Sequence, residues 1–169
     1  TLLFAVTYGV LMKPLPYPEP EQLVAVYDTQ PACSTCPASF PKYHDWKARN
    51  RVFAAMAGVT NAGYVLSGQG DPTRVVGLRA TSTLLDVFEV KPAFGRWFTE
   101  EEDQPNGRKV IVLAHGLWMK TFNGDRGVIG RTLTLNGTAH EIIGVMPDQF
   151  LNRRTEVYVP LALKLDPAT

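Results

Sequence analysis

Prolines occupy every second position in the stretch Lys13-Pro-Leu-Pro-Tyr-Pro-Glu-Pro20, and neither a helix nor a central strand can be threaded through such spacing. Each proline removes a backbone donor and locks its φ angle, so what remains is a stiff, extended exit of polyproline type. This exit divides the chain. On its N-terminal side, residues 2–12 are almost wholly apolar and carry no charge. A bilayer span takes about 20 such residues, and this run is shorter. It also lacks the basic start and small-residue cleavage site of a secretory signal. Two readings remain: a buried element of the domain, or the last turns of a membrane helix whose beginning lies before Thr1. Lys13 can snorkel to lipid headgroups at the end of an apolar run. With the proline stop behind it, the lysine favours the truncated span.

Beyond the exit the sequence is heavily punctuated. Thirteen prolines and fourteen glycines in 169 residues imply many turns and short elements, which disfavours a helical bundle and favours an α+β architecture. Seventeen basic residues against sixteen acidic ones leave a net charge of +1. The basic residues are scattered, not gathered into a stripe, so no nucleic-acid partner is expected.

Residues 22–28 (QLVAVYD) are dense enough in apolar side chains to predict a buried strand, and residues 29–37 a loop. Ser39 is an N-cap candidate for a helix over 40–50, with Pro41 in the first turn and Phe40, Tyr43 and Trp46 on one face. Strands are expected over 53–66 (irregular at Gly58 and Gly63) and over 74–80. A short helix is expected over 83–88, capped by Thr81 and Ser82. Residues 109–114 (KVIVLA) form the most strand-like run, and 116–122 predict an amphipathic helix. Asn136-Gly137, flanked by strand patterns at 131–135 and 140–145, is the strongest hairpin signal. A short strand over 157–161 closes the chain.

The candidate chemistry is sparse. Cys33 and Cys36 form a C-x-x-C inside a proline-bounded loop. Zinc would want four ligands, and only His44 is near. A redox motif should open a helix after a strand, and Pro37 sits awkwardly with that. A loop disulfide or idle thiols is the preferred reading, with redox or metal chemistry the alternative. Residues 124–132 (GDRGVIGRT) have the wrong spacing for a phosphate loop and carry arginine where lysine is required. The acidic run 100–103 follows Thr99, and Thr99 with Glu102 has capping-box spacing, so helix-end electrostatics explains it more simply than acid/base catalysis. His44, His115 and His140 lie far apart, with no nucleophile motif beside them. Asn136-Gly137-Thr138 matches a glycosylation sequon, but the turn already accounts for it.

In this order the segments resemble the periplasmic core domain of MacB-like ABC transporter permeases, in the FtsX-like permease family. The nearer likeness is to the acidobacterial-type orphan permeases. The likeness is carried by Lys13-Pro-Leu-Pro-Tyr-Pro-Glu-Pro20 with Leu23-Val24, Ser39-Phe-Pro-Lys-Tyr-His-Asp-Trp46 with Asn50 and Phe53, and Phe88-Glu-Val-Lys-Pro-Ala-Phe-Gly-Arg96. It continues through Val112-Leu-Ala-His-Gly-Leu-Trp118, Ile129-Gly-Arg-Thr-Leu-Thr-Leu-Asn-Gly137 and Ile143-Gly-Val-Met-Pro147. The Cys33/Cys36 loop is a departure from that pattern.

The resemblance implies a porter-like α/β part with an inserted strand-rich subdomain. Residues 1–12 would end a transmembrane helix, 13–21 form the proline-rich exit, and 22–169 an extracytoplasmic core domain incomplete at its C-terminus. It places the chain at the bacterial inner membrane, facing the periplasm or cell exterior. The implied role is non-catalytic, coupling membrane-helix movement to export or release of a substrate, with Pro14, Pro16, Pro18 and Pro20 as the coupling segment. ATP would be used by a separate nucleotide-binding domain, and no cofactor is expected in this chain. The implied partners are an ABC ATPase subunit or domain, the membrane, in some members a periplasmic adaptor protein, and a second copy in a homodimer. The competing readings are a membrane-tethered structural or binding module without transport role, and a periplasmic hydrolase using residues 100–103.

Overall fold

The computed structural model describes residues 17–163 apart from 32, 69, 149, 152 and 153. The expectations placed on residues 1–12, Pro14 and Pro16 lie outside the described residues.

The α+β expectation is borne out, with nine strands and three short helices among the described residues, built around one principal sheet. A 3-10 turn at Pro20–Gln22 ends the proline exit. A small hairpin follows, β1 (Asp28–Gln30) against β2 (Cys33–Cys36), and then helix α1 (Phe40–Arg49). The remaining strands are β3 (Val59–Ser67), β4 (Thr73–Ala80), β5 (Phe94–Gly95), β6 (Val110–Leu113), β7 (Thr132–Leu135), β8 (Thr138–Val145) and β9 (Val157–Pro160). Helix α2 (Leu84–Phe88) follows β4, and α3 (His115–Phe122) follows β6.

The strand order is β5-β8-β6-β9-β4-β3-β7, and β7 also pairs with β8. That last pairing joins β8, β6, β9, β4, β3 and β7 into a ring, a small barrel with β5 added on the second half of β8. Antiparallel pairs are mixed with two parallel ones, β4–β9 and β6–β8. The parallel pairs join strands far apart in sequence, as they must, since parallel neighbours need a long crossover. Closing the ring removes most free edges.

Alternation along the strands separates two cores. Ile111, Leu113, Leu133, Leu135, Ile142, Val157 and Val159 face the barrel interior, which Leu117 and Phe122 of α3 plug at one end. Val110, Val112, Ile143, Leu78 and Tyr158 face outward into a second core with Leu84 and Leu85 of α2, Phe98, Met146 and Phe150. This explains why β6 is buried at every position, as a strand covered on both faces should be. Asn136 (φ 48°) and Gly137 (φ 79°) both adopt positive φ, the type I′ geometry that suits a two-residue hairpin.

Three expectations are corrected. Residues 22–28 form no buried strand: after the 3-10 turn, residues 23–27 belong to no strand, with Val24 62% and Tyr27 54% exposed. Residues 29–37 are not simply a loop, because β1 and β2 pair there. The acidic run does not open a helix. Thr99 and Glu102 do exchange capping-box bonds, Thr99 N–H to the Glu102 carboxylate at 3.0 Å and Glu102 N–H to the Thr99 hydroxyl at 3.4 Å, but on an isolated turn.

Candidate functional site

The chain enters the barrel at β3 and leaves it after β9, and both points lie at the same end. Thr81 N–H donates to the Gly58 carbonyl at 3.0 Å just before β3, and Leu161 N–H to the Ala80 carbonyl at 2.7 Å just after β9. The second core covers the outer face of the barrel wall.

Tyr17, in the middle of the proline exit, is the contact on that face. Its ring lies 4.8 Å from Phe88, at the end of α2, and its hydroxyl accepts from the Leu151 N–H at 2.8 Å. Leu151 has φ 52°, a conformation that costs a non-glycine residue energy and persists only where the surroundings hold it. Phe88 meets Phe150 at 5.6 Å, Phe150 meets Tyr158 at 5.6 Å, and Tyr158 meets Trp97 at 5.8 Å. The separations suit tilted and edge-to-face ring contacts. The result is an aromatic column from the exit segment into β9, a wall strand of the barrel. Burial raises the pKa of both Tyr17 and Tyr158, so both remain neutral phenols.

Nothing marked Tyr17 in the sequence beyond its place among prolines. The available signal was that an aromatic ring in a segment unable to form its own sheet or helix must find its packing elsewhere. Pro18 is exposed, and Pro20 begins the 3-10 turn.

The acidic run is occupied structurally. Arg96 grips Glu102 with two parallel hydrogen bonds of 2.7 Å each. That grip, with the Thr99 N–H, holds the Glu102 carboxyl below its ordinary range. Asp103 accepts from Ser82 N–H at 3.0 Å and from Ala162 N–H at 2.9 Å, tying the start of α2 to the barrel exit. Burial raises the Asp103 pKa, and these bonds offset part of the rise. Glu102 and Asp103 are thus held by separate partners and do not form a facing acid/base pair.

Cys33 and Cys36 stand at the two ends of β2, 5.6 Å apart at Cα, and are paired as a disulfide. His44 does not join them: its ring packs against Phe40 on α1. His115 lies beside Trp118 and faces Asp148 at 3.6 Å, and His140 is on β8, so the structure does not bring the three histidines together. Among the described residues no cluster of three or more His, Cys, Asp or Glu side chains is arranged to hold a metal ion, and no helix is long and apolar enough to cross a membrane.

Solved structures share the fold, and two illustrate it. One is the periplasmic region of MacB from Actinobacillus actinomycetemcomitans, 18% identical, with a TM-score of 0.60 over 72% of this chain and 54% of that one. The other is the extracellular domain of the noncanonic ABC-type transporter YknZ from Gram-positive bacteria, 19% identical, with a TM-score of 0.60 over 73% of this chain and 63% of that one. The chain therefore spans less than two thirds of either domain. No curated protein matches it in sequence. The family described as MacB-like periplasmic core domain matches residues 1–167, which is nearly the whole sequence, and the chain belongs to that family.

Proposed function

We propose that this domain is a non-catalytic coupling element of an ABC-type permease. It would take up movement of a membrane helix and turn it into displacement of the barrel during export or release of a substrate. Residues 1–12 would be the end of that helix, residues 14–20 the stiff connection, and an ATPase subunit or domain in the cytoplasm the source of energy. A periplasmic adaptor and a second copy of the permease are the further partners this reading admits.

The observation that supports the reading is the attachment of Tyr17 to Phe88 and Leu151. A proline-rich connection is stiff enough to carry tilt. Tyr17, midway along it, fastens it to a packed core, and packed cores move as bodies instead of deforming.

The test is transport and ATP hydrolysis in the full-length permease with residues 14–20 replaced by Gly/Ser, and separately with Tyr17→Ala. Loss of transport with ATP hydrolysis retained is expected in both. Tyr17→Phe keeps the ring contact, loses the hydroxyl acceptor and should transport partially. Unchanged transport in a folded Gly/Ser variant would overturn the coupling role and leave a tethered binding module.

A further inference from the structure

The barrel ring does not close along its whole height. β7 pairs with β3 only at Leu66 and Ser67, while β4 pairs with β3 from Val59 to Leu66. Residues 59–64 therefore run past the end of β7, and their second edge meets no strand among the described residues. Asn136 finishes the seam. Its N–H donates to the Val65 carbonyl at 2.9 Å, and its side-chain oxygen accepts from the Val65 N–H at 2.7 Å. Below that stitch a cleft of about 460 Å³ opens between β3, the β7–β8 turn and the start of β6. This volume falls within the range of small-molecule sites, about 300–1,000 Å³.

Apolar surface comes from Tyr64, Leu135 and Val159, which line the cleft where it meets the barrel interior. Gly77 shapes this wall. A Cβ at that position would lie 2.4 Å from the Tyr64 ring, so only glycine lets the ring lie across β4. Tyr64 itself is half-buried, and Arg79 is near enough to offset part of the rise that burial imposes on its phenol.

The charges around the cleft are unbalanced. Arg79, Arg108 and Lys109 line it, together with His140 and one carboxylate, Glu102. Glu102 is already bound by Arg96, and Arg108 is bound to Glu141. With those two pairs satisfied, Arg79 and Lys109 have no carboxylate partner among the described residues. Arg79 is held in place by donating to the Leu161 carbonyl. His140 adds no balancing negative charge: burial and the neighbouring Lys109 lower its pKa, and Nδ1 is engaged with the Thr138 carbonyl at 2.9 Å. Two uncompensated cations beside apolar walls in a partly enclosed cleft attract one kind of ligand more than any other.

We propose that this cleft binds a small amphipathic anion, its acidic group set between Arg79 and Lys109 and its apolar body against Tyr64 and Val159. A carboxylate and a phosphonate or phosphate share the chemistry required, and the assignment does not depend on the coupling role. The test is ligand-observed fluorine NMR on the full-length protein in lipid nanodiscs, with empty nanodiscs as blank. The probes are 4-(trifluoromethyl)benzoate, 4-(trifluoromethyl)benzylphosphonate, the neutral 4-(trifluoromethyl)benzyl alcohol and the cationic 4-(trifluoromethyl)benzylammonium. Saturable binding of at least one anion is expected, about tenfold or more tighter than the ammonium, and the better of the two anions identifies the preferred headgroup. Lys109→Glu should weaken that binding by about tenfold, while Lys120→Glu, on α3 away from the cleft, should not. Because Arg79 also holds Leu161, Lys109 is the deciding position, with the fold of each variant checked by thermal melting. Equal binding of ammonium and anion, indifference to Lys109→Glu, or no saturable binding of either anion would each overturn the proposal.

Discussion

The barrel and the segment that precedes it are built on opposite terms. From β3 to β9 the strands close into a ring and two cores share the same wall, so that Val110, Ile111, Val112 and Leu113 are each fully buried. Before β3, the hairpin, α1 and residues 51–56 contain no buried residue among those described. Phe40, Tyr43 and Trp46 do line one face of α1, but they are only half-covered, while Val24, Val26, Val52 and Phe53 are exposed. The tertiary bonds of this region include Lys42 to Asp28 at 2.6 Å and Tyr43 to the Met56 carbonyl at 3.3 Å. Stability in a protein is distributed unevenly, and regions with few buried contacts open first. The barrel is therefore the more rigid part of the domain, and the preceding segment is the more loosely held one.

The largest effects should follow from disturbing the barrel wall. Ile111→Ala removes a side chain from the barrel interior and should cost about 2–5 kcal/mol. Val24→Ala in the preceding segment should cost under about 0.5 kcal/mol. Denaturant unfolding of the two variants measures the contrast, and equal losses would abolish it. Glycines give the same contrast in backbone terms. A Cβ at Gly144 would stand 2.3 Å from the Arg96 carbonyl oxygen, which the β5–β8 pairing holds in place, whereas a Cβ at Gly63 meets nothing within 4 Å. Gly144→Ala should be severely destabilising and Gly63→Ala close to neutral in a melting experiment.

Acid titration probes the barrel's seams at intermediate scale. His140 has a pKa below its ordinary 6.5 because burial disfavours the charged ring. The unfolded chain takes up this proton first, so stability falls as pH drops below about 6.5 and levels off once the folded ring is also protonated. Glu102 has a pKa below 4.5, chiefly through its hydrogen bonds with Arg96. Its contribution is complete above that value and is lost as pH falls through the lower folded value. Arg96 is 45% exposed, so screening limits the Glu102 contribution to about 1 kcal/mol. Asp103 works against both: burial raises its pKa, so protonating it favours the folded state. Glu102→Gln should flatten the loss below pH 4.5 while leaving the step below pH 6.5. His140→Gln should do the reverse, and melting temperature followed against pH separates the two.

What the sequence made legible follows the same division. Residues 109–114, the helix patterns at 40–50 and 116–122 and the Asn136-Gly137 turn were readable because each is decided within a few residues, by periodicity or by positive-φ turn chemistry. Closure of the ring was not readable, because pairs such as Gly77 with Val157 join residues with no local relation. Residues 22–28 show the opposite failure. Their apolar density reports a capacity for burial, but burial needs a partner, and among the described residues none covers Val24 or Val26. Likewise Cys33–Cys36 lacks the composition of a strand and becomes one only by pairing with β1. Tyr17 is visible in the sequence only as part of the Lys13–Pro20 segment, and its contacts with Phe88 and Leu151 exist only in three dimensions.

The smallest expected effect concerns that hairpin. The Cys33–Cys36 disulfide spans a sequence separation of 3, and the chain-entropy gain from closing a loop falls as the loop shortens. It also acts on an element that, among the described residues, pairs with β1 alone and lies outside both cores. Replacing both cysteines by serine should therefore leave the melting temperature of the barrel nearly unchanged. The effect should appear locally, as faster hydrogen exchange in residues 28–36 and in α1, which is joined to β1 through Lys42 and Asp28. If the double variant instead lowered protection in β6 and β9, the two regions would be one cooperative unit, and the contrast between a rigid barrel and a loosely held preceding segment would have to be given up.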